Sequence, residues 1–266
     1  MEIKNISQNK FSSLIKDFNF ESAILPLGSI EQHGDHLPFS TDTLIVEHIS
    51  NIVSTKSEAF LLPSLFYGVS YEHEPLFNIS IDYNILVDFI SCICQSLSKH
   101  GIKRIFVING HHGNIGLLQY VGQNLLSKYA INSDFFYFIN YWQLLETGFD
   151  HAGEVETSLM MAIHPNLVNM DLAKAGLDTK DHKIGSLYKL GTNMSINNPA
   201  GFTKFTKNGI WGNPLSASGE DGKNMITGII EKIVFIFQGN LDPKRLCDNF
   251  ALFPAENVPG HTIIVV

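Results

Sequence analysis

Apolar positions along this chain fall into two rhythms that alternate: short unbroken runs, and longer stretches repeating at helical spacing. The run at residues 23–27 reads as a buried strand. Residues 42–53 then predict a helix, with Leu44, Ile45, His48 and Ile49 on one side. A short strand is predicted at 59–62, ended by Pro63. Over 83–99, Ile85, Leu86, Phe89, Ile90, Ile93 and Leu97 recur at helical spacing, and His100-Gly101 suits the C-terminal cap. The continuous run 104–108 predicts a strand covered on both faces of a parallel sheet. A helix at 113–129, a strand at 135–139 and a helix at 154–163, stopped by Pro165, follow. Residues 170–207 are polar with little periodicity and read as surface loops. The pattern closes with a long helix at 220–237 and a strand candidate at 262–266.

Such alternation predicts an α/β fold, a parallel sheet with helices on both faces. In these folds sites form beyond the carboxyl ends of the strands. No repeat, low-complexity tract or break in composition marks a linker, so residues 1–266 are expected to form one domain, with a tail from about 242 unassigned. Composition changes the picture in two respects. The formal charge of −8 disfavours a general binder of nucleic acid. Three cysteines without a framework of spacings, and no apolar run approaching the ~20 residues of a membrane span, point to a cytoplasmic protein that binds no membrane.

The chemistry is concentrated in three clusters. Glu31-Gln-His33-Gly-Asp-His36 leads to Asp42 directly after the first strand. Asn109-Gly-His111-His112-Gly-Asn114 follows the strand at 104–108, and His151-Ala-Gly-Glu154-Val-Glu156 opens a helix. Carboxylate oxygen and imidazole nitrogen together are the donor set of a borderline divalent metal. Each cluster also has a plainer reading. His111-His112 between Asn-Gly and Gly-Asn suits an exposed turn. Glu154 and Glu156 suit a helix's first turn, where the dipole favours carboxylates.

Taken with Tyr67-Gly-Val-Ser and His73, these motifs resemble the creatininase family of metal-dependent amidohydrolases over most of the chain. The resemblance implies a three-layer α/β/α sandwich, two divalent ions per chain (Zn, Mn or Fe) and a homohexamer. It implies Glu31, His33, Asp42, His111 and Glu154 as ligands. Asp42 would bridge, Glu31 and His111 would hold one ion, and His33 and Glu154 the other.

One departure matters. Creatinine-hydrolysing members carry a Glu ligand two residues after the His111 equivalent, and here that residue is Gly113. Glu154 is expected to supply the missing carboxylate. Those members also ring the substrate with tryptophans, and neither Trp142 nor Trp211 matches, so creatinine is not the expected substrate. His151 is expected to give a proton to the leaving nitrogen. Glu156 is expected to support it, and His36, His112 and Asn114 to contact substrate or hold the pocket. His73 and His48 read as structural. The main reading is a hydrolase of a cyclic amide or formamide in a small molecule. The alternatives are a peptidase for a small precursor peptide and, from another class, a catalytically silent binding or assembly subunit.

Overall fold

Four parallel strands form a sheet ordered β2-β1-β3-β4: β1 (Ser22–Leu27), β2 (Phe60–Leu61), β3 (Arg104–Asn109) and β4 (Phe136–Asn140). This computed structural model describes residues 1–145, 150–177, 206 and 208–239. The predicted strand at 262–266, the tail from 242 and most of 178–207 lie outside the described residues.

Strand alternation divides the interior in two. Ile24, Phe106 and Ile108 point to one face, against α2 (Thr41–Lys56), α5 (Glu154–Ile163) and α6 (Gly219–Phe237). Ala23, Leu25, Leu27, Ile105 and Val107 point to the other, against α1 (Gln8–Phe18), α3 (Tyr83–Ser98) and α4 (Ile115–Tyr129). The sheet is therefore covered on both sides, as unbroken apolar runs require. Phe106 illustrates the packing: its ring lies 5.0 Å from Tyr137 and 4.0 Å from Phe237. Burying one such side chain stabilises by roughly 1.5–3 kcal/mol.

The helix α1 is absent from the predicted elements. Its apolar residues are few, Phe11, Leu14, Ile15 and Phe18, and the intervening positions are polar. Its stop signal is Asn19 in the left-handed region, φ 54°, rather than a glycine.

Register places the site. Leu27 pairs with Asn109, and Asn109 with Asn140, so β1, β3 and β4 end at one level. The loops that leave this edge carry the three chemical clusters. The first turn of α2 folds back against it at Gly28, where a Cβ would fall 2.5 Å from Thr43 Cα and 2.6 Å from Thr43 N.

Gly28→Ala should therefore lower stability by about 1–3 kcal/mol, because backbone must move to admit a methyl. Gly116→Ala is the control. It lies in α4 with open space where the Cβ would go, and should hold or raise the melting temperature. Thermal denaturation of both variants checks the pair.

Candidate metal centre

Local hydrogen bonds explain why these side chains turn inward. In the loop after β1, Glu31 N–H donates to Phe39 O, and Gln32 N–H to Phe77 O. That ties the loop to the segment approaching α3. Asp42 sits in the first turn of α2. After β3, the Asn109 side chain donates to His111 O and Asn140 Oδ1 and accepts from His111 N–H. Before α5, the Asp150 carboxylate accepts from Val155 N–H at 2.8 Å and Glu156 N–H at 3.4 Å. His151 pairs through both backbone groups with Trp211. Ala152, at φ 51°, turns the chain so that its N–H donates to Glu156 Oε2 at 2.6 Å.

The result is a closed cluster of Glu31, His33, Asp42, His73, His111, His151 and Glu156, none more than 6% exposed. Three groupings bring donor atoms within 4.8 Å of one another: Glu31 with Asp42 and His111, His33 with His151 and Glu156, and Glu31 with His73 and His151. Asp42 joins the first two. Its Oδ1 lies 3.1 Å from His33 Nε2, and its Oδ2 lies 3.3 Å from His111 Nδ1. Glu31 Oε2 is 3.1 Å from His111 Nδ1, and Glu156 Oε2 is 3.6 Å from His33 Nε2. The outer nitrogens of both imidazoles meet backbone carbonyls, His33 Nδ1 at Glu31 O and His111 Nε2 at Val69 O. Ligating histidines are oriented in this way.

The electrostatics follow from burial and from the crowding of charged groups. Burial alone would depress His33. Asp42, with Glu156 and Glu31 behind it, overrides burial and lifts the imidazole to about 10. His111 is likewise raised well above its ordinary value, against burial, by Glu31 and Asp42. Burial would raise Glu31, but His111 and His73 hold it well below the usual carboxylate range. Glu156 is pushed well up by burial, and Asp150 up to about 7 by the same cause. Burial, with His33 beside it, keeps His151 well below its ordinary value.

The structure places the predicted residues unequally. Glu31, His33, Asp42, His111 and His151 converge. Glu154 does not: it is exposed, while Glu156 faces the cluster. Two positions apart on a helix are about 200° apart in direction, and the Asp150 cap sets the phase that turns Glu156 inward. Gly113 leaves no room for a side chain, because a Cβ there would fall 2.1 Å from Val69 O and 2.4 Å from Glu72 Oε1. Asn114 is consumed by the fold, donating to Gly28 O and Asn109 Oδ1 and accepting from Val69 N–H. His36 is buried beneath the cluster, with Nε2 2.9 Å from Thr157 Oγ1. Burial, with His33 nearby, lowers it to about 4. Neither is placed to meet substrate. His112 is half-buried, its ring 6.1 Å from Trp142. His73, expected to be structural, belongs to the cluster: its Nε2 is 2.9 Å from Glu31 Oε1. Gln32, which the motif reading passed over, lies between His73 and His151. Its place in Glu31-Gln-His33 was the available signal.

Comparison with known proteins identifies the family of the chain. Residues 6–237 match the family model described as Creatininase: Creatinine amidohydrolase. The chain is 31% identical over 173 residues to a creatinine amidohydrolase of Pseudomonas putida, covering 56% of this chain and 66% of that protein. It is 27% identical over 227 residues to a mycofactocin precursor peptide peptidase of Mycobacterium tuberculosis, covering 80% and 83%. A solved creatininase of Zn-Zn type superposes with a TM-score of 0.76 at 23% identity, covering 91% of this chain and 98% of that one, a likeness of fold. The chain belongs to the creatininase family of amidohydrolases.

Proposed function

We propose a dinuclear metal hydrolase that cleaves the C–N bond of a small cyclic amide or formamide. Glu31, Asp42 and His111 would hold one divalent ion, and His33, Asp42 and Glu156 the other. The observation that carries this reading is the divided Asp42 carboxylate, one oxygen facing each imidazole.

The residues fit such ions. Both Glu31 oxygens and Asp42 Oδ2 are buried without a hydrogen-bond donor; the short approaches of His73 and His111 do not meet hydrogen-bond geometry. Among the described residues, the ion-pair contacts of Glu31, Asp42 and Glu156 are all with histidine, so no Lys or Arg offsets three buried carboxylates. Leaving such charge uncompensated costs several kcal/mol per ion. Mixed O and N donors suit Zn, Mn and Fe alike. When bound, a pair of divalent ions polarises a carbonyl and acidifies water near neutral pH.

The chain supplies proton movement. His151 is held neutral by burial, which suits it to take a proton first and pass it to the leaving nitrogen afterwards. A second reading is a peptidase for a small precursor peptide, favoured by the longer match to the peptidase relative. Assembly as a homohexamer is supported by the family resemblance and by the exposed rings of Phe39, Tyr67, Tyr71 and Phe77. A cytoplasmic location is supported by the free thiols of Cys92 and Cys94. A hydrolysis screen of the reconstituted protein over lactams, formamides and short peptides separates the substrate readings. Turnover of none of them would count against both.

Elemental analysis after reconstitution should find about two ions per chain. Glu156→Gln should lose one, and Glu154→Gln neither. Equal loss in both variants would return the ligand role to Glu154 or remove it from α5. His151→Ala should keep both ions and its melting temperature, yet lose ~10²–10⁴-fold in kcat. Metal uptake should also release protons. Without ions His33 stays protonated at pH 7.5, since its partners raise it to about 10, and His111 and Glu156 are shifted in the same direction. Loading should then free protons, so apparent affinity rises with pH. Calorimetric titration in buffers of different ionisation enthalpy counts them.

A further inference from the structure

Gln32 is buried where the loop after β1 meets the second and third chemical clusters, and its amide is oriented by two backbone groups of unambiguous character. Gly34 N–H donates to Oε1 at 3.1 Å, and Nε2 donates to Gly209 O at 2.9 Å. A backbone N–H cannot accept and a backbone carbonyl cannot donate, so the amide cannot be flipped. Nε2 then carries two hydrogens. One goes to Gly209 O. The other faces His73 Nδ1 at 3.0 Å.

That contact decides the state of His73. An amide NH₂ only donates, so Nδ1 must present a lone pair. The ring proton of His73 then sits on Nε2, the nitrogen 2.9 Å from Glu31 Oε1. His151 is decided by the same residue. Its Nε2 lies 3.0 Å from both the backbone oxygen and the side-chain nitrogen of Gln32. A backbone carbonyl only accepts, so the His151 proton sits on Nε2 and goes to Gln32 O; that nitrogen then cannot accept from the amide, whose second hydrogen is left to His73. His151 Nδ1, 3.9 Å from Glu31 Oε1, is left with its lone pair toward the cluster.

We propose that Gln32 is a positioning residue that sets the tautomer of His73 through its side-chain amide and that of His151 through its backbone carbonyl. It places the ring proton of His73 on Nε2, facing Glu31, with no lone pair there to give a metal ion, and it turns His151 Nδ1 inward as a proton acceptor. His73 is thereby removed from the ligand candidates, although its atoms lie as close to Glu31 and His151 as a ligand's would. The four imidazoles divide evenly. His33 and His111 anchor their outer nitrogens on carbonyls and serve as ligands, while His73 and His151 take their states from the side-chain amide and the backbone carbonyl of one residue. The tautomers rest on hydrogen bonds alone; their meaning for catalysis rests on the metal reading above.

The test is long-range ¹H–¹⁵N correlation on histidine-labelled protein, zinc-loaded and after chelation, with His73 and His151 assigned by substitution. In both states His73 should show a protonated Nε2 and a lone-pair Nδ1, with no zinc-dependent shift at either nitrogen. Gln32→Glu, whose carboxylate cannot donate, should protonate His73 Nδ1. Gln32→Met should leave His73 a mixture of tautomers. Both variants should keep their zinc and lose roughly 10–100-fold in kcat, with little change in KM. A protonated Nδ1 or a zinc-shifted nitrogen on wild-type His73 would overturn the proposal. So would variants whose His73 tautomer matches the wild type. Should Gln32→Glu fail to fold, the wild-type spectrum and Gln32→Met still decide. If zinc leaves His33 and His111 unshifted while His73 keeps its Nε2–H, the metal reading fails and the role of Gln32 stands.

Discussion

One carboxylate governs the architecture of this protein. Asp42 is 2% exposed, faces an imidazole with each oxygen, and meets no Lys or Arg among the described residues. A group in that position is tolerable only if positive charge is brought to it, as protons on His33 and His111 or as metal ions. The whole strand edge serves that requirement. The level ends of β1 and β3 deliver His33 and His111 to opposite sides of Asp42, and α2 approaches closely enough because residue 28 has no side chain.

The parts of this design that show in the sequence are those in which one short segment carries both the element and the chemistry. The run 105–108 has no polar residue to misread, and His111 follows it by three positions. Glu31, His33 and Asp42 lie within one stretch of twelve residues shortly after β1, so their convergence needs only a strand end and a helix start. What did not show depends on phase or on distant contacts. Glu154 and Glu156 are chemically equivalent in sequence, and only the capping carboxylate of Asp150 decides which one points inward. His73 reaches the cluster because its segment is tied to the loop of Glu31 by backbone bonds such as Ile79 N–H to Ile30 O. No periodicity announces such a pairing. The helix α1 was hidden for a different reason: its apolar stripe is thin and it stops on an asparagine.

The cluster also shows why a donor set is not read from proximity alone. Three groupings satisfy the same distance criterion, yet their nitrogens differ in what they can offer. His33 and His111 meet backbone carbonyls on their outer sides, which leaves the inner nitrogens facing the carboxylates. His73 and His151 instead meet an amide and the carbonyl of the same residue. Protonation, set one bond further out, separates the chemistry of four rings that geometry makes look alike.

The bond from Gln32 to Gly209 has a bearing on how the chain folds. Its partners are 177 residues apart. The donors themselves span residues 31 to 156, so the centre is assembled from contacts of high sequence separation. Such contacts form late, because the entropy of closing long loops is spent before they give anything back. A nascent or partly unfolded chain would hold isolated pieces of the cluster but not its enclosed form. Ions that bind only the closed arrangement would stabilise the completed topology over every partial one. The centre would then act as a latch, holding shut a chain in which the segments around Gln32 and Gly209 had already met.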